Sequence, residues 1–477
     1  MRADLAPFLA DGALALGGLG VLHGAGLVRP GARGALGALG LAYLTGVACV
    51  GLLAIALLTL GATASVATVL ALCALIGIAG VGAAWRREGR PPALPPRPKL
   101  PPLRGRGADF WFTTGFAGVF GVYAVLGFLS AMVTPLTGFD GWSIWTRKAR
   151  MLTEPGGLPT EFLESASYTF THPDYPLLYP LWQSIHFRAA GEVDTQLLQG
   201  HLWLLLVACV WALAYLMAPR VRAVVWAPIL LAVAVAPGVW RQLLTGFADV
   251  PLGVFLVVGT LLVGLWLAEG SRRHLAVGAL MLAAAASTKN EGLTMAVAVI
   301  AAAALTLAVG RRRSELRDLA AAAGGFVLVL LPWRIWIAAH DIGSDLPIAD
   351  GLKPGFLADR SERVRPAVRA VNANLSDQAQ WLHFVPVAVV VALACVAARA
   401  GARVALFYLV TGAAVWAALV WAYWISPYEL DYHLRTSADR VVTGLVFVMV
   451  AAVLQLAGQL AALASTDSSR SPSTRQS

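Results

Sequence analysis

Apolar runs of about 20 residues recur along most of this chain, each long enough to cross a bilayer core. Only 13% of the residues are charged, about half the share in a soluble domain. The pattern predicts an all-α polytopic membrane protein of about 13 transmembrane helices. The spans are placed near 7–28, 36–60, 63–84, 108–134, 197–217, 223–243, 250–268, 274–288, 291–310, 319–339, 384–398, 404–424 and 441–463. No signal-peptide cleavage pattern stands out, and "MRADLAPFLADGALALGGLGVL" reads as a retained first span.

The formal net charge is +10. The cations sit mainly in short loops between spans, among them "RPGAR", "PRVR", "EGSRRH", "GRRRSELR" and "ARAGAR". They are read as cytoplasmic retention signals, and nucleic acid is excluded as a partner. That assignment puts 135–196, 244–249, 289–291, 340–383 and 425–440 on the outer side. The composition points to a bacterium, and so to its plasma (inner) membrane. Cys49, Cys73, Cys209 and Cys395 lie inside apolar runs without CxxC spacing, as packing residues do.

Four regions follow. Residues 1–107 hold three spans and a stiff Pro/Arg-rich linker. Residues 108–340 form a catalytic transmembrane module with the outer loop 135–196. Residues 341–463 hold a further outer loop, read as a short helical cap, and the last spans. Residues 464–477 are a polar, disordered cytoplasmic tail.

The outer loops carry the chemistry. Loop 135–196 is too long to be a simple connector. Within it, 142–153 reads as an amphipathic interfacial helix: Trp142, Trp145, Ala149 and Leu152 on one face, Ser143, Thr146, Arg147 and Arg150 on the other. Asp140 and Lys148 stand beside the tryptophans. Segment 176–190 is expected as a second helix lying in the interface. Before it, "THPDYPLLYP" pins His172, Asp174 and Tyr175 between prolines. Asp249 begins a span in "FADVPLG", where it could be an N-cap. "STKNEG" sets Lys289 and Glu291 between apolar runs, where an internal ion pair is the plain alternative. Arg334, His433 and Arg440 are outer cations that run against the positive-inside pattern, as anion-binding groups would. In loop 340–383, Arg363, Arg365 and Arg369 read as part of a solvated helix face. Ionisable residues at membrane depth are costly and mark function by default. Carboxylates suit proton abstraction and cations suit phosphate.

These pieces, in this order, resemble the GT-C superfamily of membrane glycosyltransferases, including protein O-mannosyltransferases and the lipid A aminoarabinose transferase. The likeness rests on "GFDGWSIW", "HPDYPLLYP", "FADVPLG", "STKNEG" and "HLRTSADR", spread over residues 138–440. It implies a GT-C-like bundle and transfer of a sugar from a polyprenyl-phosphate donor to an envelope acceptor outside the membrane. It implies Asp140 as general base, Asp249 as the second acid, and Lys289, Arg334 and Arg440 as holders of the donor phosphate. Trp142, Lys148, His172, Asp174, Tyr175, Glu291 and His433 would line the substrates. The chain departs from the family in two ways: Asp140 is followed by Gly141 where many relatives carry a second acid, and three spans precede residue 108. No cofactor is expected. A divalent cation on Asp140, Asp174, Asp249 and His172 is conceivable, but no spacing demands it. The alternative from another class is a transporter, since carriers also place charges in spans.

Overall fold

The structure is a computed structural model that describes residues 5–29, 31–89, 107–154 and 157–470. The Pro/Arg-rich linker and the end of the polar tail lie outside the described residues. No strand occurs among the described residues. The physical reason is solvent: lipid offers no hydrogen-bond partners, so a spanning backbone must satisfy itself within one helix.

Three helices come first: α1 (Ala6–Ala25), α2 (Leu39–Thr59) and α3 (Val66–Glu88). Next are α4 (Ala108–Val133), the short α5 (Arg147–Thr153), α6 (Leu178–Ala190) and α7 (Thr195–Met217). A bent pair follows, α8 (Ala223–Val235) and α9 (Pro237–Leu244), turning by 43° where Pro237 lacks an N–H. Then come α10 (Asp249–Glu269), α11 (Arg272–Thr288), α12 (Asn290–Val309) and α13 (Arg313–Ala339). The chain closes with α14 (Val364–Leu375), α15 (Phe384–Ala397), α16 (Ala402–Ile425), α17 (Leu430–Val441) and α18 (Thr443–Arg470).

Every expected span coincides with a helix, but the count differs. Among the described residues ten helices are long and apolar enough to cross a membrane, or 11 with the bent pair counted as one span. The other two expected spans are α11, with 17 residues, and α15, with 14. The chain is an all-α, multi-pass membrane protein. Helix α18 also continues beyond 463 to Arg470, into the polar tail.

Helix α10 is buried from Asp249 to Leu267 and forms the axis of the bundle. Helices α3, α4 and α13 turn mostly outward, with apolar side chains such as Ile78, Val122 and Leu328 exposed where lipid would cover them. Helix α1 packs tightly on α3 because both present glycine. A Cβ on Gly80 would stand 2.1 Å from the Gly20 carbonyl oxygen. Small residues let helices approach this closely, which is the packing device available where lipid removes the hydrophobic driving force.

The bundle has two chemically different ends. At one, arginines bond helix-terminal groups: Arg87 donates to the carbonyls of His23 and Gly24, and Arg220 pairs with Glu269. At the other end lie the loop after α4, the start of α10, the α11–α12 junction and α17.

Two local expectations change. Segment 142–153 is helical, but it opens with a π-helical turn, Gly141–Thr146, before α5. The wider turn takes the side chains off a 3.6-residue period. Trp145, Ala149 and Leu152 are buried as expected; Trp142 is exposed instead, and Ser143 and Thr146 are buried. Helix α6 is too short to span and is no exposed surface helix. All its residues from Leu178 to Phe187 are buried, packed on α1, α2, α5 and α11.

Leucine at Gly80 should therefore push α1 off α3 and cost about 1–3 kcal/mol. Leucine at Gly82, where nothing lies within 4 Å, should be silent. Thermal unfolding of the two variants in detergent checks the contrast.

Candidate functional site

Asp140 owes its position to two glycines. The turn between α9 and α10 lies against residues 138–141, and a Cβ on Gly141 would sit 2.0 Å from the Thr245 carbonyl oxygen. This close approach carries Asp140 to Arg440, with Oδ2 and Nη2 2.5 Å apart. The Arg440 guanidinium lies 4.6 Å from the centre of the Phe247 ring, a cation–π arrangement. The same contact explains why glycine follows Asp140: a second carboxylate at 141 has no room.

Lys289 occupies the break between α11 and α12 in extended conformation (φ −155°, ψ 152°). Its Nζ donates to Asp249 Oδ1 at 2.9 Å and pairs with Glu291 Oε1 at 2.9 Å. Asp249 makes no side-chain cap to its own helix. The local Lys289–Glu291 pair thus forms as the plain alternative has it, and the same ammonium also bridges to Asp249 on another helix. Asp249 Oδ2 and Glu291 Oε2 are buried without a partner in the protein.

The first residue of α12 joins this group to a second one. Asn290 donates to Asp174 Oδ2 at 2.7 Å and accepts from Arg334 at 3.1 Å. Trp333 Nε1 donates to the Asp174 carbonyl at 3.4 Å. Lys148 is fully buried on α5 and donates to the His172 carbonyl. Its Nζ lies 5.5 Å from the centre of the Tyr175 ring. His172 has a left-handed backbone (φ 54°); its Nδ1 meets Asp345, and its ring stacks on Tyr175 at 4.8 Å between centroids. Burial lowers the Lys148 ammonium to about 7, against the opposing charges of Asp174 and Asp345. Burial raises the Asp174 carboxyl, and Asp345 reinforces it.

Most of the expected residues therefore meet at one end of the bundle, and two stand apart from the bonded network. His433 bonds Ser426 Oγ at 2.8 Å and packs beside Tyr423 and Tyr428. Trp142 is exposed, edge-on to Phe139. Asn290 and Asp345 went unread in the sequence: Asn290 lies inside "STKNEG", while nothing local marks Asp345 among the acids of its loop. Of the arginines read as a solvated helix face, Arg365 and Arg369 are exposed, while Arg363 is half-buried and donates to the Tyr428 carbonyl at 2.8 Å, just beyond α16.

Each of the four conceivable cation ligands has a separate partner: Arg440 for Asp140, Asn290 for Asp174, Lys289 for Asp249 and Asp345 for His172. Chemically, the cluster offers cations that an anion could claim and buried carboxylate oxygens open to hydroxyl donors. No family model matches this chain, and neither does any curated protein or solved structure with which it was compared.

Removing Lys289 leaves two carboxylates buried without their counter-charge. Lys289→Met should cost about 3–5 kcal/mol, and adding Asp249→Asn should recover part of it; a double-mutant cycle on thermal unfolding measures this. A second expectation concerns pH. A lysine with a lowered pKa in the fold binds fewer protons folded than unfolded above about 7. Stability should then rise between about pH 7 and 10, by up to about 1.4 kcal/mol per unit from this residue. Lys148→Met should flatten that slope.

Proposed function

We propose that this chain is a GT-C-like membrane glycosyltransferase. It transfers a sugar from a polyprenyl-phosphate carrier to an envelope acceptor at the outer face of the plasma (inner) membrane. The observation that supports it most is the pairing of Asp140 with Arg440 beside Asp249, Lys289 and Glu291. Acids and phosphate-suited cations from distant segments lie together at one end of the bundle, where a lipid-linked donor has its headgroup. A carrier would place such charges nearer the bilayer midplane.

In this reading Asp140 takes the proton from the acceptor hydroxyl. The oxygen attacks the anomeric carbon, and the bond from that carbon to the phosphate oxygen breaks. The electron pair leaves on the polyprenyl phosphate, whose charge is held by Lys289, Arg440 and Arg334. Arg440 links donor binding to catalysis. While it pairs with Asp140 it occupies that carboxylate. A donor phosphate competes for the guanidinium and releases Asp140 for proton abstraction. The buried Asp249, Asp174 and Glu291 oxygens would accept from sugar hydroxyls, and Lys148, His172 and Tyr175 would shape the pocket wall. His433 and Trp142 would stand nearer the acceptor side.

The test is transfer from a panel of radiolabelled polyprenyl-phosphate sugars to extracted envelope acceptors. Asp140→Asn should lower kcat by roughly 10²–10⁴-fold and, by freeing Arg440, tighten donor binding rather than weaken it. Arg440→Gln should raise the donor KM. Full activity in Asp140→Asn would remove it from the mechanism. Absence of transfer, joined to solute uptake in proteoliposomes, would replace the enzyme with a transporter.

A further inference from the structure

Asp11, His186 and His201 come from α1, α6 and α7 and meet away from the ion network described above. His186 Nε2 lies 2.9 Å from Asp11 Oδ1, and His201 Nδ1 lies 2.6 Å from Asp11 Oδ2. One ligand atom from each residue lies within 4.8 Å of the others. Both imidazoles are almost wholly buried, with ring centroids 4.1 Å apart.

The hydrogen bonds around the group restrict its protonation. His186 Nδ1 lies 2.7 Å from the Trp182 carbonyl, so it carries the proton and donates. A neutral His186 then turns the Nε2 lone pair toward a carboxylate oxygen. That contact is repulsive unless a proton or a metal ion lies between the two atoms. Asp11 Oδ1 already accepts from Tyr43 Oη at 2.8 Å, and Trp182 Nε1 donates to that same Oη at 3.1 Å. His201 Nε2 is buried without a partner. The alternative without a metal places a second proton on His186, at Nε2, which buries an imidazolium against the His201 ring with centroids 4.1 Å apart.

We propose that Asp11, His186 and His201 form a binding site for a zinc-class divalent cation that fastens α1 to α6 and α7. Two imidazole nitrogens and one carboxylate are a donor set such an ion favours, with a fourth position left for water or another ligand. The Trp182 carbonyl on His186 and the Tyr43 hydroxyl on Asp11 are the supporting contacts that orient metal ligands. Ligands about 2.0–2.1 Å from a tetrahedral ion stand roughly 3.3 Å apart, a spacing within the 4.8 Å that bounds the three ligand atoms here. An oxygen-seeking ion such as calcium or magnesium does not suit two imidazoles.

The experiment uses the full chain in lipid nanodiscs, stripped with chelator and titrated with Co²⁺ and then Zn²⁺. The expected result is one equivalent of Co²⁺ with a tetrahedral d–d spectrum, displaced by Zn²⁺. X-ray absorption of the zinc form should show two imidazoles and no sulfur. Asp11→Asn should abolish binding, and the milder Tyr43→Phe should weaken it roughly 10–100-fold. If Asp11→Asn fails to fold, the wild-type spectra and Tyr43→Phe still decide. Folded wild type that takes up no stoichiometric Co²⁺ overturns the proposal. So does a zinc shell without imidazole, or affinity unchanged in Tyr43→Phe.

Discussion

The Lys289 ammonium, held between Asp249 and Glu291, is the contact on which the functional end of this bundle depends. A buried charge is tolerated only when paired, and here one cation satisfies acids on two helices. The pairing fixes the start of α10 against the α11–α12 break. Because α10 is the axis of the bundle, that junction becomes a reference point for every neighbour. Asn290, one residue on, hands the same fixed geometry to Asp174 and Arg334.

Around this point the site is assembled as a set of matched but incomplete pairs. Each cation has a partner, while three carboxylate oxygens, on Asp174, Asp249 and Glu291, are buried without one. Such groups are costly to maintain for stability alone, since apolar packing would serve better. Their cost is offset when a ligand supplies hydroxyl donors to the oxygens and an anion to the cations. A phosphate-linked sugar has both parts in one molecule, which is what the proposed donor would bring to the network.

The helices were legible in the sequence because lipid leaves a backbone no alternative to the helix and a span has a required length. Span number was less legible: α11 and α15 are apolar but short, and hydropathy registers the first property more readily than the second. Most of the site was legible through the cost of charge at membrane depth, which marked Asp249, Lys289, Glu291 and Arg334 individually. Of their pairings only the local one, Lys289 with Glu291, was legible, because Lys289–Asp249 and Arg334–Asn290 join segments 40 and 44 residues apart. Asn290 and Asp345 escaped for a related reason, since a polar residue in a polar loop carries no local sign of its distant partner. The exposure of Trp142 was missed because a π-turn changes the period on which the helical reading relied.

Asp11 shows the limit of reading charges one at a time. It stands near the start of a span, where a lone acid resembles an ordinary terminal residue, and its two histidines are separated from it by 175 and 190 positions. What places it is packing. The glycine contacts between α1 and α3 set the register of α1, and that register sets the depth of Asp11. Helix α6, which carries His186, also carries Tyr179, whose hydroxyl donates to the Gly246 carbonyl at 2.9 Å, next to the Phe247 that supports Arg440. The three N-terminal helices therefore reach the candidate catalytic end through α6 and also through α2, which packs on α7, α11 and α13.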